Sequence, residues 1–121
     1  MNGHKIMVID DENIVGKMIK SSFGQDEYIV EAFLDAESAL ERLREEKFDV
    51  VITDLKMKNI DGMEVLHAIK KESPEIKVIM ITAFASVDAV VEAFRKSTDD
   101  FFAKPVRISD LKACVKRLLN E

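Results

Sequence analysis

The sequence predicts a doubly wound α/β sandwich around a five-stranded parallel sheet, and two observations carry that prediction. Four short apolar runs, at residues 6–9, 50–52, 78–81 and 101–103, punctuate the chain, three of them dominated by β-branched residues. Each is too short for a helix, and continuous rather than alternating apolar character marks strands covered on both faces, as in a parallel sheet. Amphipathic helical patterns fill the gaps, and strands that alternate with helices are joined by right-handed crossovers. A fifth run, residues 28–33, is more mixed and carries Glu31, which suits a sheet edge. For five such units the common strand order is 2-1-3-4-5, with the ligand crevice between strands 1 and 3.

The helices follow in order. Val15, Ile19 and Phe23 form the first stripe, and Gly24 is a reasonable stop. Ala36, Ala39, Leu40 and Leu43 keep i, i+3, i+4, i+7 spacing behind Asp35, a plausible N-cap. Val65, Leu66 and Ile69 give the third stripe, closed by Ser73-Pro74. Val87, Val90, Val91 and Phe94 repeat the spacing behind Ser86, and Leu111, Cys114, Val115 and Leu118 make the last stripe. No linker, repeat or low-complexity segment interrupts the pattern, so residues 1–121 read as one domain, with no output domain expected in this chain.

Composition narrows the function. Hydrophobic residues make up 47% and charged residues 34%, a mixture that closes a core rather than staying disordered. The net charge of −5 opposes direct binding of nucleic acid or an anionic membrane. No apolar run approaches the ~20 residues that span a bilayer, and the N-terminus lacks a secretory pattern, so a cytoplasmic location is expected. The single cysteine, Cys114, excludes an intrachain disulfide and shares the spacing of a core position. His4 and His67 have no metal-ligand spacing between them.

Polar residues close every strand but the second: Asp10 and Asp11 after the first, Asp54 after the third, Thr82 after the fourth, Lys104 after the fifth. In an open parallel sheet these ends form the ligand-binding edge, so the five converge. Each alone has a bland reading, Asp10 and Asp11 as first-turn helix acids, Asp54 as a turn residue, Thr82 as a cap, and Lys104 as solvated surface. The coincidence decides against them. Two carboxylates ~4 Å apart repel by roughly 4 kcal/mol at an effective dielectric near 20, which a cation relieves. Hard oxygen ligands in a small open site suit Mg²⁺ or Mn²⁺. Lys104 adds positive charge, the Thr82 hydroxyl can donate to a phosphoryl oxygen, and the central Asp54 is the natural nucleophile for an aspartyl phosphate.

The motifs Val8-Ile9-Asp10-Asp11-Glu12, Asp54-Leu55-Lys56-Met57 with Asp61-Gly62, Ile81-Thr82-Ala83 and Phe101-Phe102-Ala103-Lys104-Pro105 resemble the receiver domain of two-component response regulators. The resemblance spans the chain and implies a flavodoxin-like fold; the family is itself an example of the 2-1-3-4-5 order. It implies phosphorylation of Asp54 by a sensor histidine kinase and a downstream protein or output domain as the second partner. Asp11 and Asp54 would hold the metal directly and Asp10 through water, with the carbonyl of Lys56 completing the protein ligands. Thr82 and Lys104 would contact the phosphoryl group, Phe101 would be the aromatic switch, and the Lys104-Pro105 bond would be cis. The face built from the fourth helix, fifth strand and fifth helix would carry the readout.

The chain departs from the family pattern at Lys58, where proline is usual, and at Ser97-Thr98, where Gly-Ala is common. Bulky Phe84, two beyond Thr82, is expected to limit water access and lengthen phosphoryl lifetime; unchanged phosphate loss in Phe84→Ala would contradict this. Three other functions fit less well. A phosphohydrolase of this chemistry would carry a second aspartate where Lys56 stands, and a flavin module would not place Asp10-Asp11-Glu12 at its phosphate loop. A degenerate scaffold would have lost one of the acids or the lysine.

Overall fold

In the computed structural model the described residues are 3–55, 62–83, 86–95 and 98–120. The expectations for Lys56, Met57, Lys58, Asp61, Phe84 and Ser97 lie outside them. The elements alternate strictly: β1 (Lys5–Ile9), α1 (Asn13–Gly24), β2 (Ile29–Phe33), α2 (Ala36–Glu45), β3 (Val50–Asp54), α3 (Gly62–Glu72), β4 (Lys77–Thr82), α4 (Val87–Arg95), β5 (Asp100–Ala103) and α5 (Ile108–Leu118). All strand pairs are parallel, and the order is β2-β1-β3-β4-β5.

Local chemistry sets several boundaries. Asp35 caps α2, its Oδ1 accepting from the Ser38 amide at 2.8 Å. The first helix ends on Gly24 and the third on Glu72, just before Ser73-Pro74. Every residue of β3 is buried, whereas in β2 only Val30 is, with Ile29 and Ala32 exposed, in keeping with its edge place. Its Glu31 is bonded twice by Arg42 of α2, at 2.8 and 3.0 Å.

Two apolar layers sandwich the sheet. Ile6, Val8, Val50, Ile52, Ile79 and Ile81 pack with Ile19 and Phe23 of α1 and Leu111 and Val115 of α5. The intervening Met7, Ile9, Val51, Val78 and Met80 pack with Ala36 and Ala39 of α2, Leu66 and Ile69 of α3, and Ala93 of α4. Each fully buried Val, Leu, Ile, Phe or Met side chain among these contributes roughly 1.5–3 kcal/mol.

The α4 stripe is only partly covered: Val87 is 79% and Val91 49% exposed, Val90 is half-buried, and Ala93 of the same helix is fully buried in the core. Cys114 is buried as expected, its thiol donating to Asp100 Oδ2 at 3.2 Å. Among the described residues no helix is long and apolar enough to cross a membrane.

Candidate functional site

Strand register brings the polar residues to one edge. Ile9 lies level with Thr53, so Asp10 follows β1 where Asp54 ends β3; Thr82, the last residue of β4, pairs with Ala103, and Lys104 comes next. The Lys104 amide donates to the Thr82 carbonyl at 2.8 Å, and the Asp10 amide to the Phe33 carbonyl at 3.1 Å, so both loops leave the sheet with their backbones still tied to it. The Lys104–Pro105 peptide bond is cis, as the resemblance implies.

At the centre, the Lys104 ammonium donates to Asp10 Oδ2 at 2.8 Å and Asp54 Oδ2 at 2.9 Å. It also reaches Glu12 Oε1 at 3.3 Å. Asp10 is 2% and Asp54 6% exposed, and the second Asp10 oxygen accepts from the Glu12 amide at 2.9 Å. Burial raises the Asp10 pKa above its ordinary value, a push that the Lys104 hydrogen bond and the Glu12 amide oppose. For Lys104, burial works against the charge, but the hydrogen bonds to Asp10 and Asp54 outweigh it and leave the ammonium held above its usual range.

One oxygen each from Asp10, Glu12 and Asp54 lies within 4.8 Å of the others. Hard carboxylate oxygens on a partly open edge, with more negative charge than the single ammonium balances, form a donor set that fits a small divalent cation. Asp11 is exposed and does not belong to this group; Thr82 is fully buried at the end of β4. Asp10, Asp54 and Lys104 are thus brought together as the sequence suggests. Glu12 is the member that sequence reasoning left without a role, although it stands within the Asp10-Asp11-Glu12 motif.

Around the centre, Gly62 closes the return from β3, its amide donating to the Leu55 carbonyl at 2.7 Å. A Cβ at Gly62 would collide with the Asp54 carbonyl and stand 2.7 Å from Leu55 Cα. Phe101 is half-buried against the α2–α3–α4 layer and Phe102 against the α1–α5 layer. Thr98, where the family commonly has alanine, is buried, and its hydroxyl reaches the Val78 and Asp100 carbonyls at 3.1 Å each. His67 is exposed, His4 half-buried, and neither joins the carboxylates.

Comparison with known proteins places this geometry. The family model described as the response regulator receiver domain matches residues 6–116. The DNA-binding transcriptional regulator NtrC of Proteus hauseri is 29% identical over 120 residues, which cover 99% of this chain and 25% of the relative. The transcriptional regulatory protein ZraR of Klebsiella oxytoca is 33% identical over 114 residues, 94% of this chain and 26% of the relative. The crystal structure of a CheY-like response regulator receiver domain protein from Methanospirillum hungatei JF-1 superposes with a TM-score of 0.94 at 28% identity, covering 98% of this chain and 95% of that one. The chain spans about a quarter of the length of the curated relatives it matches. With the matched segment running from β1 into α5, and an acidic crevice at the sheet edge where the strand order reverses, the chain belongs to the response regulator receiver domain family.

Proposed function

We propose that the domain is the phosphoacceptor switch of a two-component phosphorelay, with Asp54 taking a phosphoryl group from a sensor histidine kinase. The observation that carries this reading is the bridge of Lys104 between Asp10 and Asp54 at the crevice. An Asp54 oxygen attacks phosphorus in line. The P–N bond to the donor imidazole breaks, its electron pair stays on the ring nitrogen, and the histidine is released. Lys104 is placed to meet a phosphoryl oxygen once its bond to Asp54 is exchanged. The Thr82 hydroxyl supplies a second donor after a shift at the end of β4. These groups neutralise and orient charge, which is what phosphoryl transfer asks of a protein.

Mg²⁺, or Mn²⁺, would be held by Asp11 and Asp54, by Asp10 through water and by the Lys56 carbonyl, and when bound it neutralises charge on the phosphoryl oxygens. The domain is a regulator whose only chemistry is its own phosphorylation and dephosphorylation. Its readout face is α4-β5-α5, with Phe101 as the switch residue and Pro105 in the loop behind Lys104. The exposed Val87 and Val91 on α4 support that choice, because they offer apolar surface to a downstream protein or output domain. The acidic net charge argues against direct nucleic-acid binding, and a cytoplasmic location is part of this reading.

The test is intact-mass spectrometry after incubation with acetyl phosphate and Mg²⁺. A single phosphoryl adduct that is absent in Asp54→Asn and after EDTA is the expected result. A folded, Mg²⁺-saturated protein that stays unmodified by acetyl phosphate and by a histidine-kinase donor would overturn the reading.

A further inference from the structure

Glu12 occupies the N-cap position of α1 with extended backbone, φ −94° and ψ 110°, yet its side chain makes no capping hydrogen bond. Serine, threonine, aspartate or asparagine would serve that position better. The Glu12 carboxylate approaches Lys104 instead, at 3.3 Å, from the solvent side. Its side chain is 64% exposed, against 1% for Asp10 and 8% for Asp54. It is the outermost of the three clustered carboxylates. It also forms part of the wall of a groove of about 370 Å³, where Val15, Met18, Pro105 and Val106 supply apolar surface and Lys104 a second polar wall. Lys104, which bonds Asp54 at 2.9 Å, lines this groove beside Glu12, so a small phosphodonor that approaches along it passes Glu12.

We infer that Glu12 is a specificity-determining residue that disfavours small, free, anionic phosphodonors at Asp54. The inference rests on the phosphoacceptor reading above and deepens it. Three carboxylates face one ammonium, so formal negative charge remains uncompensated at the mouth. A cation held as proposed above, by Asp11 and Asp54 with Asp10 through water, would offset the inner charge but leave Glu12 outside its ligands, with its exposed charge displaced toward the entrance. A free dianion gains little from the apolar groove walls and meets the repulsion in full. A donor residue carried on a protein gains contact with those walls, which offsets the same repulsion. A unit charge ~5 Å from the path of a dianion, at the dielectric of water and moderate salt, slows association roughly fivefold.

The experiment measures the second-order rate of adduct formation with acetyl phosphate at saturating Mg²⁺, by intact mass, for the parent, Glu12→Gln and Glu12→Asp. Glu12→Gln is expected to react about fivefold faster at ~0.1 M salt, a gain that collapses near ~1 M, where the screening length falls to ~3 Å. Glu12→Asp keeps the charge and is expected to stay within about twofold of the parent. Phosphoramidate, which carries less negative charge than acetyl phosphate, shows a smaller gain in Glu12→Gln. A Glu12→Gln variant no faster than the parent, or faster by a factor indifferent to salt, overturns the inference while leaving Asp54 as acceptor. No adduct on the parent overturns the acceptor reading and this inference together.

Discussion

Gly62 lies so close to the backbone carbonyl of Asp54 that no side chain fits between them. The amide of Gly62 also donates to the Leu55 carbonyl at 2.7 Å, so the first residue of α3 is fastened against the end of β3. The backbone of the proposed acceptor is thus packed against the start of α3 through a contact that depends on a missing Cβ.

Gly62→Ala is expected to push α3 and the end of β3 apart, at a cost of about 1–3 kcal/mol for a forced backbone shift. Urea unfolding reads the loss of stability, and acetyl phosphate labelling reads the displacement of Asp54. The variant should label more slowly than the parent even under conditions where both are fully folded. Equal labelling rates would show that the close approach does not position the carboxylate.

Removing the ammonium tests the charge balance. Lys104→Ala leaves Asp10 and Asp54 close together and almost wholly buried, with their shared partner gone. The expected loss is about 3 kcal/mol, the low end for breaking a buried ion pair, because the Lys104 side chain retains some access to water. Mg²⁺ should restore part of that stability, and restore more of it than in the parent, since a ligand that binds only the folded state stabilises it by mass action. Denaturation curves with and without Mg²⁺ check both statements.

The Glu31–Arg42 pair gives a pH dependence of known sign. Bonding from Arg42 holds the Glu31 pKa below its ordinary 4.5, so the pair stabilises the fold above that value. The contribution disappears as pH falls below 4.5 through the folded-state value. Being partly exposed, the pair contributes only modestly at neutral pH. Glu31→Gln should lower the melting temperature at pH 7 and converge with the parent in acid. Parallel melting curves across that range would contradict the assignment.

Cys114 should be chemically quiet. Burial, and then the Asp100 carboxylate that accepts its S–H bond, push the thiol up to about 12. At pH 8 it then carries roughly a thousandfold less thiolate than a free cysteine of pKa ~8.5. A thiol-specific disulfide reagent should leave the native protein unmodified and label it fully in urea. Asp100→Asn should speed native labelling, and a native parent that labels as fast as a short cysteine peptide would refute the account.

The strand ends were legible in the sequence because the chemistry of a parallel sheet is local to each strand. An apolar run followed by an aspartate, threonine or lysine states both its burial and its edge, and Asp10, Asp54 and Lys104 meet as that pattern implies. What stayed hidden depends on partners distant in the chain. Glu12 looks like a helix-start acid until Lys104, 92 residues away, is seen beside it. The stripe of α4 identified an apolar face without saying what covers it, and Val87 and Val91 turned out exposed. Nothing near Lys70 announces its bonds to the Ile76 carbonyl at 2.6 Å and to Asp99 at 2.9 Å, which join α3 to the approach to β5.

The division of β1, β3 and β4 between two apolar layers has a consequence for how such a chain can change. Even-numbered Ile6, Val8, Val50 and Ile52 serve one layer, while odd-numbered Met7, Ile9 and Val51 serve the other; β4 has the opposite parity, with Ile79 and Ile81 in the first layer and Val78 and Met80 in the second. Swapping one apolar residue for another preserves parity and is absorbed by its own layer. Inserting or deleting one residue inside a strand reverses parity for everything beyond it, exchanging the two cores and turning the terminal aspartate or threonine away from its neighbours. Substitution can therefore run far through these strands while their length stays fixed, and changes of length are confined to the loops.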